Sequence, residues 1–256
     1  MDNRPLILVT NDDGIHAEGI RVLIDLMNQI GQVWVVAPEN SQSGMGHAIT
    51  IDATLHVDRR KVNSGPQIEY SCSGTPVDCV KMAINELLPR KPDLCVSGIN
   101  HGQNASTNII YSGTMSAAVE AGIQGIPSAG FSLYDASWNA DFEGSRSAVL
   151  AISKRLLENK LPSGVVLNVN IPKLKPNQIK GIKICRGADA SWQENFDKRK
   201  NPQGREYYWL TGNFIPRDSG KDTDLWALEN NYVSVVPVHY DLTAHDVINE
   251  LKAWSL

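Results

Sequence analysis

Positive charge is scarce in this sequence: 24 Lys and Arg stand against 28 Asp and Glu, a formal charge of −4. No long basic run occurs, which argues against a protein that grips a nucleic-acid polymer, because such proteins cluster their cations. Long apolar runs are missing as well. The one nearest the start, Leu6-Ile7-Leu8-Val9, is four residues long, far short of a signal-peptide core or a membrane span. Cysteine is sparse, with Cys72, Cys79, Cys95 and Cys185 scattered and no C-x-x-C pair among them. A disulfide framework is therefore excluded, and zinc or thioredoxin-type chemistry has little support. The thiols read as free, buried groups in a reducing compartment, so the expected location is the cytoplasm. Asn104-Ala105-Ser106 fits a glycosylation acceptor but, with no secretion signal, reads as chance. The phosphate-loop pattern G-x-x-x-x-G-K-[ST] is absent, and Gly44-Met45-Gly46 lacks the third glycine of a dinucleotide fingerprint. Neither a standard nucleoside triphosphatase nor an NAD enzyme is indicated.

What is present is an ordinary globular composition, 42% apolar and 20% charged over 256 residues, enough for one large domain or a domain with an appended lobe. Leu6–Val9 and Val33–Ala37 read as buried strands. Between them Ile20, Leu23, Ile24, Met27 and Ile30 recur at helical spacing. Strand, helix and strand in so short a stretch form a right-handed parallel βαβ unit. Residues 49–72 look like an antiparallel excursion turning at Gly65-Pro66. Thr75-Pro76-Val77-Asp78 starts a helix, with a capping Thr, a first-turn Pro and an early acid. Strands follow at 93–97, 127–133, 165–171 and 232–238, and helices at 114–124, 144–158, 222–228 and 244–254. Residues 174–220 read as extended arms or hairpins carrying Trp192, Phe196, Tyr207, Tyr208, Trp209 and Phe214. The expected fold is α/β: a Rossmann-like, mostly parallel sheet flanked by helices, with a β-rich C-terminal elaboration.

Polar clusters follow three of the predicted strands: Asn11-Asp12-Asp13-Gly14, Ser41-Gln42-Ser43-Gly44, and Asn100-His101-Gly102-Gln103-Asn104. Loops at the carboxyl ends of parallel strands share one sheet edge, where ligands bind. Two readings of Asp12 and Asp13 stand side by side: they cap the following helix, or they meet in a tight turn and need a cation. Ser43 and Asn100 add neutral oxygens, which suits a hard cation such as Mg²⁺. Ser112-Gly113-Thr114 precedes a helix and serves either as an anion site or as a plain cap. His47 and His101 flank these clusters, and loop histidines more often pack or hydrogen-bond than catalyse. The aromatics from Trp192 to Phe214 can stack a base, although core or interface packing is their commoner use.

Taken together, Asn11-Asp12-Asp13-Gly14, Ala37-Pro38, Ser43-Gly44-Met45-Gly46-His47, Gly74-Thr75-Pro76-Val77-Asp78-Cys79, Ser97-Gly98-Ile99-Asn100 and Ser112-Gly113-Thr114 resemble the survival protein SurE family of 5′-nucleotidases. Asn168-Val169-Asn170-Ile171-Pro172 and Asp222-Thr223-Asp224 through Pro237 extend the likeness over nearly the whole chain. The resemblance implies a phosphomonoesterase that uses one divalent cation per subunit, Mg²⁺ or Mn²⁺. It would cleave nucleoside 5′-monophosphates, with 3′-monophosphates and short polyphosphate as further candidates. It implies Asp12, Asp13, Ser43 and Asn100 as metal ligands, with Asp12 and Asp13 catalytic, and Asn104, Ser112, Gly113 and Thr114 as phosphate contacts. A catalytic domain over 1–172 and an oligomerising part over 173–256 would give a homodimer or homotetramer, with no membrane partner. Two departures from the pattern are visible: Gln103 replaces an expected proline, and Asn230-Asn231 stand where a glycine is common. The alternative is a non-catalytic phosphate- or nucleotide-binding module, or a receiver-like one. Asn100 argues against a receiver, since it stands where a phospho-accepting Asp would be wanted. Direct attack of water on phosphorus and an aspartyl-phosphate route are both open at this level, and water attack is the simpler.

Overall fold

The computed structural model describes residues 4–137 and 139–254. In chain order its strands are β1 (Leu6–Thr10), β2 (Gln32–Pro38), β3 (Val57–Arg60), β4 (Ile68–Cys72), β5 (Leu94–His101), β6 (Ser128–Leu133), β7 (Val165–Ile171), β8 (Gly181–Ile184), β9 (Ala190–Lys200), β10 (Glu206–Pro216) and β11 (Tyr232–His239). All but β9 and β10 join one sheet in the order β3-β4-β2-β1-β5-β6-β7-β11-β8. From β4 to β7 every pairing is parallel. The outer β3 runs antiparallel to β4, and β11 antiparallel to β7. Chain order reverses direction between β1 and β5, which opens a crevice at their carboxyl ends.

β1 shows why the sheet must be covered on both faces. All five of its residues are buried, and alternate side chains point to opposite sides. Ile7 and Val9 pack on one face with Ile20, Leu23, Ile24 and Met27 of α1 (Glu18–Met27) and Val149 and Ile152 of α4 (Arg146–Glu158). Leu8 packs on the other with Cys79 and Val80 of α2 (Pro76–Met82) and Ala117 and Ala121 of α3 (Gly113–Ile123). Each fully buried Ile, Leu, Val or Met among them stabilises the fold by roughly 1.5–3 kcal/mol. α2 starts as its sequence requires: Thr75 Oγ1 accepts from Asp78 N–H at 3.2 Å, and Asp78 Oδ2 accepts from Thr75 N–H at 2.9 Å. Those are the two reciprocal bonds of a capping box.

The C-terminal part differs in two places from the pattern reading. β8 is no free arm, since it pairs in parallel with β11 as the last strand of the main sheet. The predicted 244–254 helix shrinks to a 3₁₀ turn, His245–Val247, and the five-residue α6 (Ile248–Lys252). Its apolar spacing is real, but Val247, Leu251 and Trp254 stay exposed, and a helix this short has little stability without packing. The short α5 (Asp224–Glu229) matches expectation, with Thr223 capping it. Asn231 adopts φ +70°, the left-handed geometry that Asn tolerates in place of glycine. β9 and β10 form a separate antiparallel hairpin. All four cysteines are free and buried. Among the described residues no helix is long and apolar enough to cross a membrane.

Candidate active site

The turn after β1 is built from its own polar residues. Asn11 Nδ2 donates to Gly14 O at 2.9 Å, and Gly14 sits at φ +99°, a conformation that favours glycine. The turn is tied to the loop after β2 by Gln42 N–H donating to Asp12 O at 2.7 Å and Ile15 N–H to Pro38 O at 2.8 Å. α1 begins only at Glu18, and its N-cap, Ala17, has no side-chain cap. Neither Asp12 nor Asp13 therefore caps that helix.

Asp12 is buried, with 4% of its surface exposed. Its Oδ1 accepts a hydrogen bond from Thr114 Oγ1 on α3. Gly113 lies flat against it, for a Cβ there would fall 2.7 Å from Asp12 Cβ. Burial, and next the negative charge of Asp13, push the Asp12 carboxyl up to about 6 against the opposing pull of the Thr114 hydroxyl. Asp13 has a different partner. Its Oδ2 accepts from His101 N–H at 3.3 Å and lies 3.2 Å from His101 Nδ1. The His101 ring is held edge-on against Phe142 at 5.0 Å, so it packs and orients.

Asn100 precedes His101 at the end of β5. Its Nδ2 donates to Gly102 O at 2.9 Å, which turns the amide oxygen away from that bond and leaves it free to accept. Ser43 is exposed, with Oγ 3.0 Å from Ser41 Oγ. Four residues further along the loop, His47 places Nε2 3.2 Å from Glu120 Oε2, and the other oxygen of Glu120 accepts from Lys81 Nζ at 2.7 Å. His47 thus pins the Ser43 loop to α3.

The phosphate candidates occupy two supports. Ser112 Oγ caps α3 by accepting from Met115 N–H at 3.1 Å, whereas Thr114 spends its hydroxyl on Asp12. Asn104 is clamped by groups that pattern reading did not single out for the site. Asn170 Oδ1 accepts its N–H at 2.7 Å, Asn168 Nδ2 donates to its carbonyl at 2.8 Å, and Ser132 Oγ accepts from its Nδ2 at 2.8 Å. Asn170 Nδ2 closes the network on Asn168 Oδ1 at 3.1 Å. A signal for these residues was present: two Asn at alternate positions of the apolar run VVLNVNI share one face of a buried strand and must find partners there.

The loop after Asn104 is fastened to the C-terminal part. Asp224, 1% exposed, accepts from Ser106 N–H at 2.8 Å and Ala188 N–H at 2.9 Å. Thr107 Oγ1 donates to Ala190 O at 2.8 Å, and Trp192 Nε1 to Asn108 Oδ1 at 2.8 Å. The hairpin is thereby seated beside the polar crevice.

Asp12 is brought into contact with Gly113 and Thr114, and Asp13 with the residue after Asn100. Among the described residues no hydrogen bond joins Ser43 or Asn104 to the acid pair. The donor set fits a hard divalent cation: two adjacent carboxylates, a hydroxyl and an amide oxygen, all oxygen ligands. A cation here would also relieve the cost of burying Asp12 beside a like charge.

A family model described as Survival protein SurE matches residues 7–194 of the chain. A 5′-nucleotidase SurE of Christiangramia forsetii is 66% identical over 254 residues, spanning 99% of this chain and 98% of the relative. One of Bacteroides fragilis is 44% identical over the full length of both. Among solved structures the chain resembles the SurE protein from Aquifex aeolicus, with a TM-score of 0.85 and 38% identity over 98% of this chain and 100% of that one.

Proposed function

Because this chain belongs to the survival protein SurE family and is a 5′-nucleotidase, we propose that it hydrolyses nucleoside 5′-monophosphates with one divalent cation, Mg²⁺ or Mn²⁺, held by Asp12, Asp13, Ser43 and Asn100. The observation that carries this reading is the pairing of a buried acid and a less buried one at the sheet's switch point, beside the N-terminus of α3. A bound divalent cation supplies positive charge beside phosphorus and makes water a competent nucleophile near neutral pH.

The chain's own groups do the rest. Thr114 fixes the orientation of Asp12, and His101 fixes that of Asp13. With Oδ2 engaged by His101, the other oxygen of Asp13 is the one left to take the proton from attacking water. Asn104 has a second amide hydrogen beyond the one given to Ser132, and it donates to a phosphate oxygen. The N–H groups of Gly113 and Thr114 at the start of α3 hold the remaining charge as it develops. These contacts grip phosphate and not the ester carbon, so 3′-monophosphates and short polyphosphate belong in the substrate panel.

Residues 1–172 supply this site, and 173–256 are assigned to assembly as a homodimer or homotetramer. Support comes from large apolar side chains left exposed there, with Leu242 at 93%, Trp254 at 62% and Trp209 at 59%. Buried free thiols support a reducing compartment, the cytoplasm. The test is phosphate release from AMP with Mg²⁺ or Mn²⁺, with and without chelator. Metal-dependent release is expected; absence of release from every monophosphate would overturn the reading.

A further inference from the structure

The hairpin carries a slot that the phosphate chemistry does not use. A cavity of about 580 Å³ is lined by Gly44, Tyr111, Trp192, Glu194, Leu210 and Gly212, among others, well within the size range of small-molecule sites. It borders both halves of the candidate site, because Gly44 follows Ser43 and Tyr111 precedes Ser112. Trp192 and Glu194 lie two apart on β9 and so share a face, and opposite them in register stand Phe214 and Gly212. Gly212 has no side chain, so none stands across the strand pair from Glu194. Trp192 is fixed by its bond to Asn108 and by Phe214, whose ring centre lies 5.5 Å away. A rigid aromatic wall, an apolar wall from Leu210 and Tyr111 and a side-chain-free position at Gly212 suit a flat aromatic ring.

Glu194 sets the polarity of that ring's edge. Among the described residues its carboxylate has no hydrogen-bond or ion-pair partner. A carboxylate is repelled by a phosphate dianion, so it must face the far end of a bound nucleotide. It only accepts hydrogen bonds, so it needs donors opposite. Of the common bases, guanine presents two adjacent N–H donors, N1–H and N2–H, which one carboxylate takes together. We propose that this slot binds the nucleobase and that Glu194 makes the enzyme prefer guanine nucleotides, an assignment that rests on the nucleotidase reading.

The test compares kcat/KM for GMP and IMP, which differ only by the N2 amine. The wild-type enzyme is expected to favour GMP at least tenfold, the scale of one good bidentate contact. Glu194→Ala brings the ratio close to one, while Glu206→Ala, an acid further along the hairpin, keeps it. A wild-type ratio near one, or an unchanged ratio in Glu194→Ala, overturns the slot assignment and leaves the nucleotidase intact. If no monophosphate is cleaved, the nucleotidase reading falls, and calorimetry with guanosine and inosine decides the slot. Tighter guanosine binding that Glu194→Ala abolishes supports it, and equal or absent binding overturns it.

Discussion

Thr114, in the first turn of α3, donates its hydroxyl to Oδ1 of Asp12, 102 residues earlier in the chain. The bond makes the helix start and the first strand's turn one rigid unit. Hydrogen bonds to charged groups are worth about 1.5–3 kcal/mol. Thr114→Val should therefore lower kcat/KM for AMP by roughly tenfold or more and raise the metal concentration needed for half activity. Thr114→Ser, which keeps the hydroxyl, should restore most of both. Equal damage from Ser and Val would show that the methyl packing matters and the bond does not.

If Asn104 holds phosphate as proposed, Asn170 serves it by accepting the Asn104 N–H. Asn170→Ala leaves the Asn104 N–H without its acceptor, so stability should fall by about 1–3 kcal/mol. KM for AMP and the inhibition constant of inorganic phosphate should both rise several-fold. A double-mutant cycle gives the sharper reading. In an Asn104→Ala background the Asn170 change should cost little further phosphate affinity. Full additivity would place Asn170 in a different role.

Glu120 gives a pH signature away from the acid pair. Burial raises its pKa, but the hydrogen bonds from His47, Lys81 and Gln124 outweigh that and hold the carboxyl at about 2. A folded pKa below the unfolded value of about 4.3 means stability that is fully present above pH ~5 and is lost as pH falls toward 2. Glu120→Gln should cost about 1–3 kcal/mol at pH 7 and flatten the acid limb of a melting-temperature profile below pH 5. A variant whose acid limb matches the wild type's would remove Glu120 from the account of acid stability.

Much of this architecture is visible in the chain itself because its signals are local. β1, α1 and β2 follow from a four-residue apolar run, a helical stripe and VWVVA, and α2 from Thr75-Pro76 and Asp78. The polar turns after β1 and β5 were legible for the same reason, as clusters that a parallel sheet collects at one edge. What pattern reading could not supply were bonds across the fold. Nothing local links Thr114 to Asp12, Asp224 to Ser106 or His47 to Glu120. The apolar spacing of 244–254 predicts a longer helix than α6 because periodicity reports an apolar face but not whether anything packs on it. The short alternating GIKI of β8 gives no local sign of its partner, β11, so its sequence predicts no more than an extended arm.

The most direct test of the metal-bearing acid pair is Mn²⁺ binding by calorimetry, measured with AMP hydrolysis on the wild type and Asp13→Asn. The wild type should bind one Mn²⁺ per subunit and release phosphate in proportion to occupancy. Asp13→Asn should lose both while keeping a cooperative melt, because Asp13 is bonded only at the site's rim. Retained Mn²⁺ binding and turnover in that variant would contradict the assignment of the pair as metal ligands.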